Sequence, residues 1–194
     1  MVSMSPDDLR LDSQRAALLL VDFQERLAAV MAPGEIAACQ RNIVLLFELA
    51  RQLRIPVVVS EQYPRGLGPT VPGLKQALAE PGLTVERIEK IEFSCADSPA
   101  FKEVHRKLGR DQWIVVGMEA HVCVYQTARD LVALGARVHV PADAVISRAP
   151  ANVRIGLELC NRAGAFVTGT ETVVFDALRR AGSDEFRALS RLLK

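Results

Sequence analysis

Short apolar runs alternate with helical stripes along this chain. Ala16-Ala17-Leu18-Leu19-Leu20-Val21 is continuously apolar up to Asp22. It is short and lacks the polar alternation of a half-exposed strand, so it reads as a central parallel strand. Over residues 33–54 apolar positions recur at helical spacing (Ile36, Cys39, Ile43, Leu46, Leu49, Leu53), and Pro33 suits a first turn. Pro56-Val57-Val58-Val59-Ser60 makes a second buried strand and residues 84–89 a third. A helix then begins at Ser98-Pro99, a cap followed by a first-turn proline, and runs to Leu108 before Gly109. The spacing further predicts strands at 113–116, 137–140 and 165–167, and helices at 122–134, 152–163, 170–180 and 184–193.

Strands alternating with helices imply parallel pairing, hence a three-layer α/β, Rossmann-like domain. We expect a mainly parallel sheet of about six strands flanked by helices. The chain contains no internal repeat or linker that would divide it, so residues 1–194 read as one domain. Residues 62–73, dense in Pro and Gly, read as an ordered loop, and loops of this kind often line sites.

Composition narrows the functional classes. With 49% hydrophobic residues over 194 positions the chain can bury a sizeable core. Lys and Arg number 24 against 23 Asp and Glu, and this balance recommends neither nucleic acid nor a membrane surface as partner. Four cysteines stand far apart with no C-x-x-C pair, as in a reduced, cytoplasmic protein. Residues 1–8 show no basic stretch leading into an apolar one, so no signal peptide is expected. No apolar run approaches the roughly 20 residues of a membrane helix.

In open parallel sheets ligands collect beyond the carboxyl ends of the strands. Three residues stand out there: Asp22 after the first strand, Lys90 after the third, and Cys123 after the fourth. A cysteine is more often packed as a small hydrophobe than used as a nucleophile. At the opening of a helix, however, free N–H groups and the dipole favour its thiolate. Asp22 can accept its proton and Lys90 can hold the charges in place.

Five segments carry a resemblance over nearly the whole chain: Leu19-Leu20-Val21-Asp22-Phe23-Gln24, Glu61-Gln62-Tyr63-Pro64-Arg65-Gly66-Leu67-Gly68, Lys90 with Phe93-Ser94, Gly117-Met118-Glu119-Ala120-His121-Val122-Cys123, and Ala142-Asp143-Ala144-Val145-Ile146-Ser147-Arg148. The sequence resembles the isochorismatase-like cysteine hydrolases, which include nicotinamidases and N-carbamoyl amide hydrolases. The resemblance implies a catalytic triad of Asp22, Lys90 and Cys123. It also implies a non-proline cis peptide between Met118 and Glu119, and an oxyanion hole made by the backbone N–H groups of Glu119 and Cys123. The implied reaction is acyl transfer through a thioester of Cys123 on a small carboxamide or related acyl compound.

The chain departs from the nicotinamidase pattern, which carries an Asp-x-His metal cluster where Ser60-Glu61-Gln62-Tyr63 stands here. No metal and no cofactor are therefore expected, and nicotinamide is a poor substrate candidate. Isochorismate cleavage fits no better, because enzymes of that branch replace the nucleophile that this chain keeps. The Glu61-Gln62-Tyr63-Pro64 segment resembles instead a subgroup known as isochorismatase domain-containing proteins.

Phe23, Gln24, Glu61, Tyr63 and Phe93 are candidates to bind substrate, with packing between loop and sheet the alternative for the aromatics. His121 stands two residues from Cys123, and residues so spaced on a helix do not face each other, so it reads as structural or pocket-lining. Asp143, Ser147 and Arg148 read as a supporting loop. A rival function is a catalytically idle binding or regulatory protein. Relatives are commonly oligomeric, so a homo-oligomer is expected.

Overall fold

The structure, a computed structural model, describes residues 9–193. The segment in which a signal peptide was sought lies outside them. Among the described residues seven strands form one wholly parallel sheet: β1 (Ala16–Val21), β2 (Val57–Gln62), β3 (Val85–Lys90), β4 (Gln112–Met118), β5 (Arg137–Pro141), β6 (Val145–Ile146) and β7 (Phe166–Thr168). Their order is β3-β2-β1-β4-β5-β7, with the two-residue β6 paired to the end of β4. That short strand is the difference from the expected six; its two residues are too few to show a period.

Every residue of β1 is buried, and successive side chains part into two cores. Ala16, Leu18 and Leu20 join Ile43 and Leu46 of α2 (Pro33–Leu53) and Val173 of the 170–178 helix. Ala17, Leu19 and Val21 join Phe101 of the 99–108 helix, Trp113 of β4, and Ala128 and Leu131 of the 125–133 helix. This period-two division explains the unbroken apolar run, since both faces are covered. Each fully buried Leu or Ile contributes roughly 1.5–3 kcal/mol.

The other helices are α1 (Glu25–Ala28), α3 (Pro64–Leu67), α4 (Pro72–Leu78), α5 (Pro99–Leu108), α6 (Tyr125–Ala133), α7 (Pro150–Arg162), α8 (Thr170–Leu178) and α9 (Asp184–Ser190). The segment expected as a loop at 62–73 thus carries the turn α3 and the start of α4, each opened by a proline. β4 runs two residues beyond the expected Val116, because Gly117 takes φ +118 and stays in register with Val21. The helix expected from 122 begins regular winding only at Tyr125, after a π-helical turn at Ala120–Val124. Among the described residues no helix is long and apolar enough to cross a membrane.

β2 and β3 lie on one side of β1, and β4, β5 and β7 on the other. The chain reverses its direction of sheet growth between β1 and β4, and a crevice forms beyond the carboxyl ends at such a point. Asp22 follows β1, and Cys123 lies in the turn after β4.

Candidate active site

The crevice brings the three expected residues together. The Lys90 Nζ lies 2.6 Å from Asp22 Oδ2, and both side chains are fully buried. Lys90 is the last residue of β3, not the residue after it, and period-two alternation puts it on the buried side with Ile88. Its ammonium also donates to the carbonyls of Glu92, at 3.0 Å, and Phe93, at 3.3 Å. Its three protons thus have three acceptors, as a buried cation requires.

Asp22 sits in the left-handed region at φ 48. Its second oxygen, Oδ1, accepts a hydrogen bond of 2.7 Å from the buried Ser60 hydroxyl of β2. The Cys123 thiol, itself buried, donates to Gln62 Oε1 at 3.4 Å. The Met118–Glu119 peptide is cis.

Burial governs the electrostatics. It lifts Asp22 above the usual carboxylate range, against the charge and hydrogen bond of Lys90 and the hydrogen bond of Ser60. At Lys90 burial favours the neutral amine. The negative charges that Cys95, Asp22 and Cys123 can carry outweigh it and hold the ammonium above its ordinary value.

Burial, reinforced by the charge of Asp22, also pushes the Cys123 thiol well up, with Lys90 opposing. Desolvation and a neighbouring carboxylate thus outweigh the effect of the helix opening that favours a thiolate, the regular helix starting only two residues later. The resting group is a thiol beside an ion pair. Asp22, raised by burial, is a better proton acceptor than a free carboxylate.

The expected substrate-binding residues divide. Phe23 is fully buried in the core with Met31 and Val71, because the chain turns inward at Asp22. Gln24 is also buried, and its amide holds the loop after β2. It donates to the carbonyls of Gln62 (3.0 Å) and Gly68 (2.7 Å) and accepts from the Gln62 N–H (2.8 Å). Glu61 Oε1 accepts from both the N–H and the hydroxyl of Thr70, each at 2.7 Å. These three are scaffold. Tyr63 and Phe93 are more than half exposed at the rim, and Tyr63 lines a cavity of about 510 Å³ with Arg65, Lys90, Ile91, Glu92 and Ser98.

The turn bearing Cys123 is held from behind. The Glu119 carboxylate accepts from the Arg148 backbone N–H at 3.0 Å and pairs with its guanidinium at 3.3 Å. His121 Nδ1 lies 3.1 Å from the Ser147 hydroxyl. The 143–148 loop therefore supports the site, and Asp143 Oδ1 ties it to the N-terminus of α8 by accepting from Thr170 N–H and hydroxyl at 2.8 Å.

Gly156 of α7 packs onto the same turn. A Cβ there would stand 2.5 Å from the Ala120 carbonyl carbon and oxygen. Gly156→Ala is expected to cost about 1–3 kcal/mol, as overpacking does, and to slow alkylation of Cys123. Thermal unfolding and timed iodoacetamide labelling check it, and wild-type values in both would remove Gly156 from the support of the site.

Sequence reasoning missed Ser60, Gln62 and Gly156. Ser60 follows the apolar run of the strand beside β1, the same signal that exposed Asp22, and Gln62, the last residue of β2, follows at the strand's period of two. Cys95, fully buried with its N–H on the Thr127 hydroxyl at 2.9 Å, was also passed over; burial first, then the charge of Asp22, lift its thiol to about 11 against the opposing charge of Lys90.

Residues 16–172 match the isochorismatase domain. A Danio rerio protein, isochorismatase domain-containing protein 2, is 32% identical over 184 residues, covering 95% of this chain and 89% of its own length. The solved structure of MAR1 ribonuclease from Caenorhabditis elegans is similar at 36% identity and a TM-score of 0.83, covering 95% of this chain and 92% of its own. That of the Escherichia coli YcaC gene product, described as an octameric hydrolase of unknown specificity, has 25% identity and a TM-score of 0.83, with coverage of 95% and 89%. The resemblance read from five segments thus extends through domain, relatives and fold, and the chain belongs to the isochorismatase family.

Proposed function

We propose that the protein is a cysteine hydrolase of the amidohydrolase type, which opens the non-peptide C–N bond of a small carboxamide through a thioester on Cys123. The observation that carries this reading is the fully buried Lys90–Asp22 pair at 2.6 Å beside a thiol. A buried ion pair is expensive to keep for stability alone, and this one adjoins a nucleophile that needs a base. The kinship with hydrolases supports it further.

In the first half, the Cys123 proton passes to Asp22 as sulfur bonds the carbonyl carbon. The backbone N–H groups of Glu119 and Cys123 receive the developing oxyanion. As the C–N bond breaks, Asp22 returns that proton to the departing nitrogen. In the second half water attacks the thioester, giving its proton to Asp22. The C–S bond breaks, the acid leaves, and Asp22 reprotonates the sulfur. Lys90 remains an ammonium throughout and balances the charge of Asp22.

The test is a panel of small amides read by product release and by intact mass for an acyl adduct, with Cys123→Ala as control. Turnover and an adduct that both vanish in the variant are expected. Absence of Cys123-dependent turnover across the panel would favour an idle binding protein. RNA belongs in the panel because the C. elegans relative is called a ribonuclease; Cys123-dependent RNA cleavage would replace the amide reading.

We also infer a homo-oligomer. The exposed apolar rim of Tyr63, Ile91 and Phe93, together with the octameric E. coli relative, supports it. Light scattering is expected to give a multiple of 21.2 kDa, and a monomer at micromolar concentration would exclude it.

A further inference from the structure

The side chain of Gln62 spans the mouth of the site. Its Oε1 accepts from the buried Cys123 thiol, while its Nε2 donates, at 3.4 Å, to the carbonyl of Ile91, a residue 77% exposed. The amide cannot be turned round, because the Ile91 carbonyl only accepts and needs the NH₂ end. Its backbone is equally fixed: Gln62 pairs with Lys90 in the β2–β3 ladder, and its N–H is held by Gln24. An acceptor of set orientation therefore faces the reacting sulfur.

That acceptor loses its donor during the reaction. Once the thiol proton has moved to Asp22 and sulfur has bonded carbon, nothing on Cys123 can donate to Gln62 Oε1. A half-buried acceptor left without a donor is costly when bound substrate covers it, so a substrate that brings a donor is favoured there. An amide does: the nitrogen on the attacked carbon carries N–H groups beside the new C–S bond. The matched ester, with an alkoxy oxygen in that place, has none.

We propose that Gln62 is a specificity-determining residue, whose Oε1 passes from the Cys123 thiol to an N–H of the substrate's departing nitrogen and so selects carboxamides that carry such an N–H over esters. The inference rests on the hydrolase reading above. Selection of this kind is strong where a site is built to hydrogen-bond a group that the competing substrate lacks.

The experiment measures kcat/KM on matched pairs of short aliphatic and aromatic primary amides and their methyl esters, for wild type, Gln62→Met and Gln62→Glu. Gln62→Met keeps the length but removes the acceptor, and its amide-to-ester ratio is expected to fall about tenfold, the effect of one hydrogen bond. Gln62→Glu retains an acceptor but loses the NH₂ that Ile91 holds, and its ratio is expected to fall less than that of the Met variant. A merely structural role would lower both substrates together and leave the ratio alone, and that result in the Met variant overturns the proposal. Should the Met variant not fold, Gln62→Leu, equally without an acceptor, takes its place, and an unchanged ratio there overturns the proposal. If wild type turns over neither member of any pair, the hydrolase reading itself falls and takes this inference with it.

Discussion

Lys90→Met is expected to lose both turnover and several kcal/mol of stability. Its ammonium meets three acceptors, the Asp22 carboxylate and two carbonyls, in a position with no solvent exposure of the side chain. Removing it leaves a carboxylate with no counter-charge in low dielectric, and breaking a buried pair from one side costs about 3–5 kcal/mol. The turnover loss is expected to be on the order of 10²–10⁴, the scale of a lost acid–base arrangement.

The pH dependence identifies the cause. Burial already raises Asp22, and without Lys90 it rises further. A folded state that holds a proton more tightly than the unfolded chain loses stability as pH rises from the unfolded value towards the folded one. The variant should therefore unfold more easily at pH 8 than at pH 5. Asp22→Asn added to it should recover part of the stability without restoring Cys123 alkylation. Urea unfolding at the two pH values measures this, and a pH-independent loss would mean that lost packing, not the stranded charge, is responsible.

Gly117→Ala is expected to be worse for folding. A Cβ there would stand 2.1 Å from the carbonyl oxygen and 2.9 Å from the nitrogen of Val21, both backbone atoms of the central strand, at a φ of +118. Neither neighbour can rotate away, and the torsion is one that side-chain-bearing residues rarely adopt. Strain and overpacking together put the loss at about 4 kcal/mol or more, enough to unfold many domains. Displacing Val21 would also displace Asp22, which follows it.

Gly109 makes the internal comparison. It caps α5 at φ +59, with nothing within 4 Å of a Cβ there among the described residues, so Gly109→Ala should cost only about 1 kcal/mol. Urea midpoints for the two variants test the pair, and a Gly117→Ala protein as stable as Gly109→Ala would refute the close-approach argument.

Why some of this was legible in sequence and some was not follows from the range of each interaction. Buried parallel strands write themselves as unbroken apolar runs, so β1, β2 and β4 and the positions of Asp22 and Cys123 beyond them could be read directly. β3 was harder. As an edge strand it is partly exposed, and its mixture of Glu, Arg and Lys hides the alternation that buries Ile88 and Lys90.

Phe23 and Gln24 adjoin Asp22 in the chain, and the sequence leaves Phe23 open between lining the pocket and packing. The left-handed turn at Asp22 separates neighbours in sequence and sends them to the core and the loop. The supports of Cys123, namely Gly156, Ser147 and Arg148, are 24–33 residues away in sequence and reach it through packing of α7 on the 120–124 turn and pairing of β6 with β4. The neutral resting thiol was illegible for a similar reason: its cause is desolvation, which depends on every element that covers it.

The sheet order carries one more consequence. Among the described residues β3 has a strand partner on one side only, β2, whereas β1 and β4, which lead to Asp22 and Cys123, are flanked on both. Local opening starts where protection is least. The edge holding the ammonium can detach while the central strands stay folded, leaving a nucleophile without its charge balance inside a largely intact protein. Loss of function should then precede loss of fold: amide protons of β3 exchange with solvent ahead of those of β1, and mild denaturant silences the protein at concentrations where its global transition has not begun.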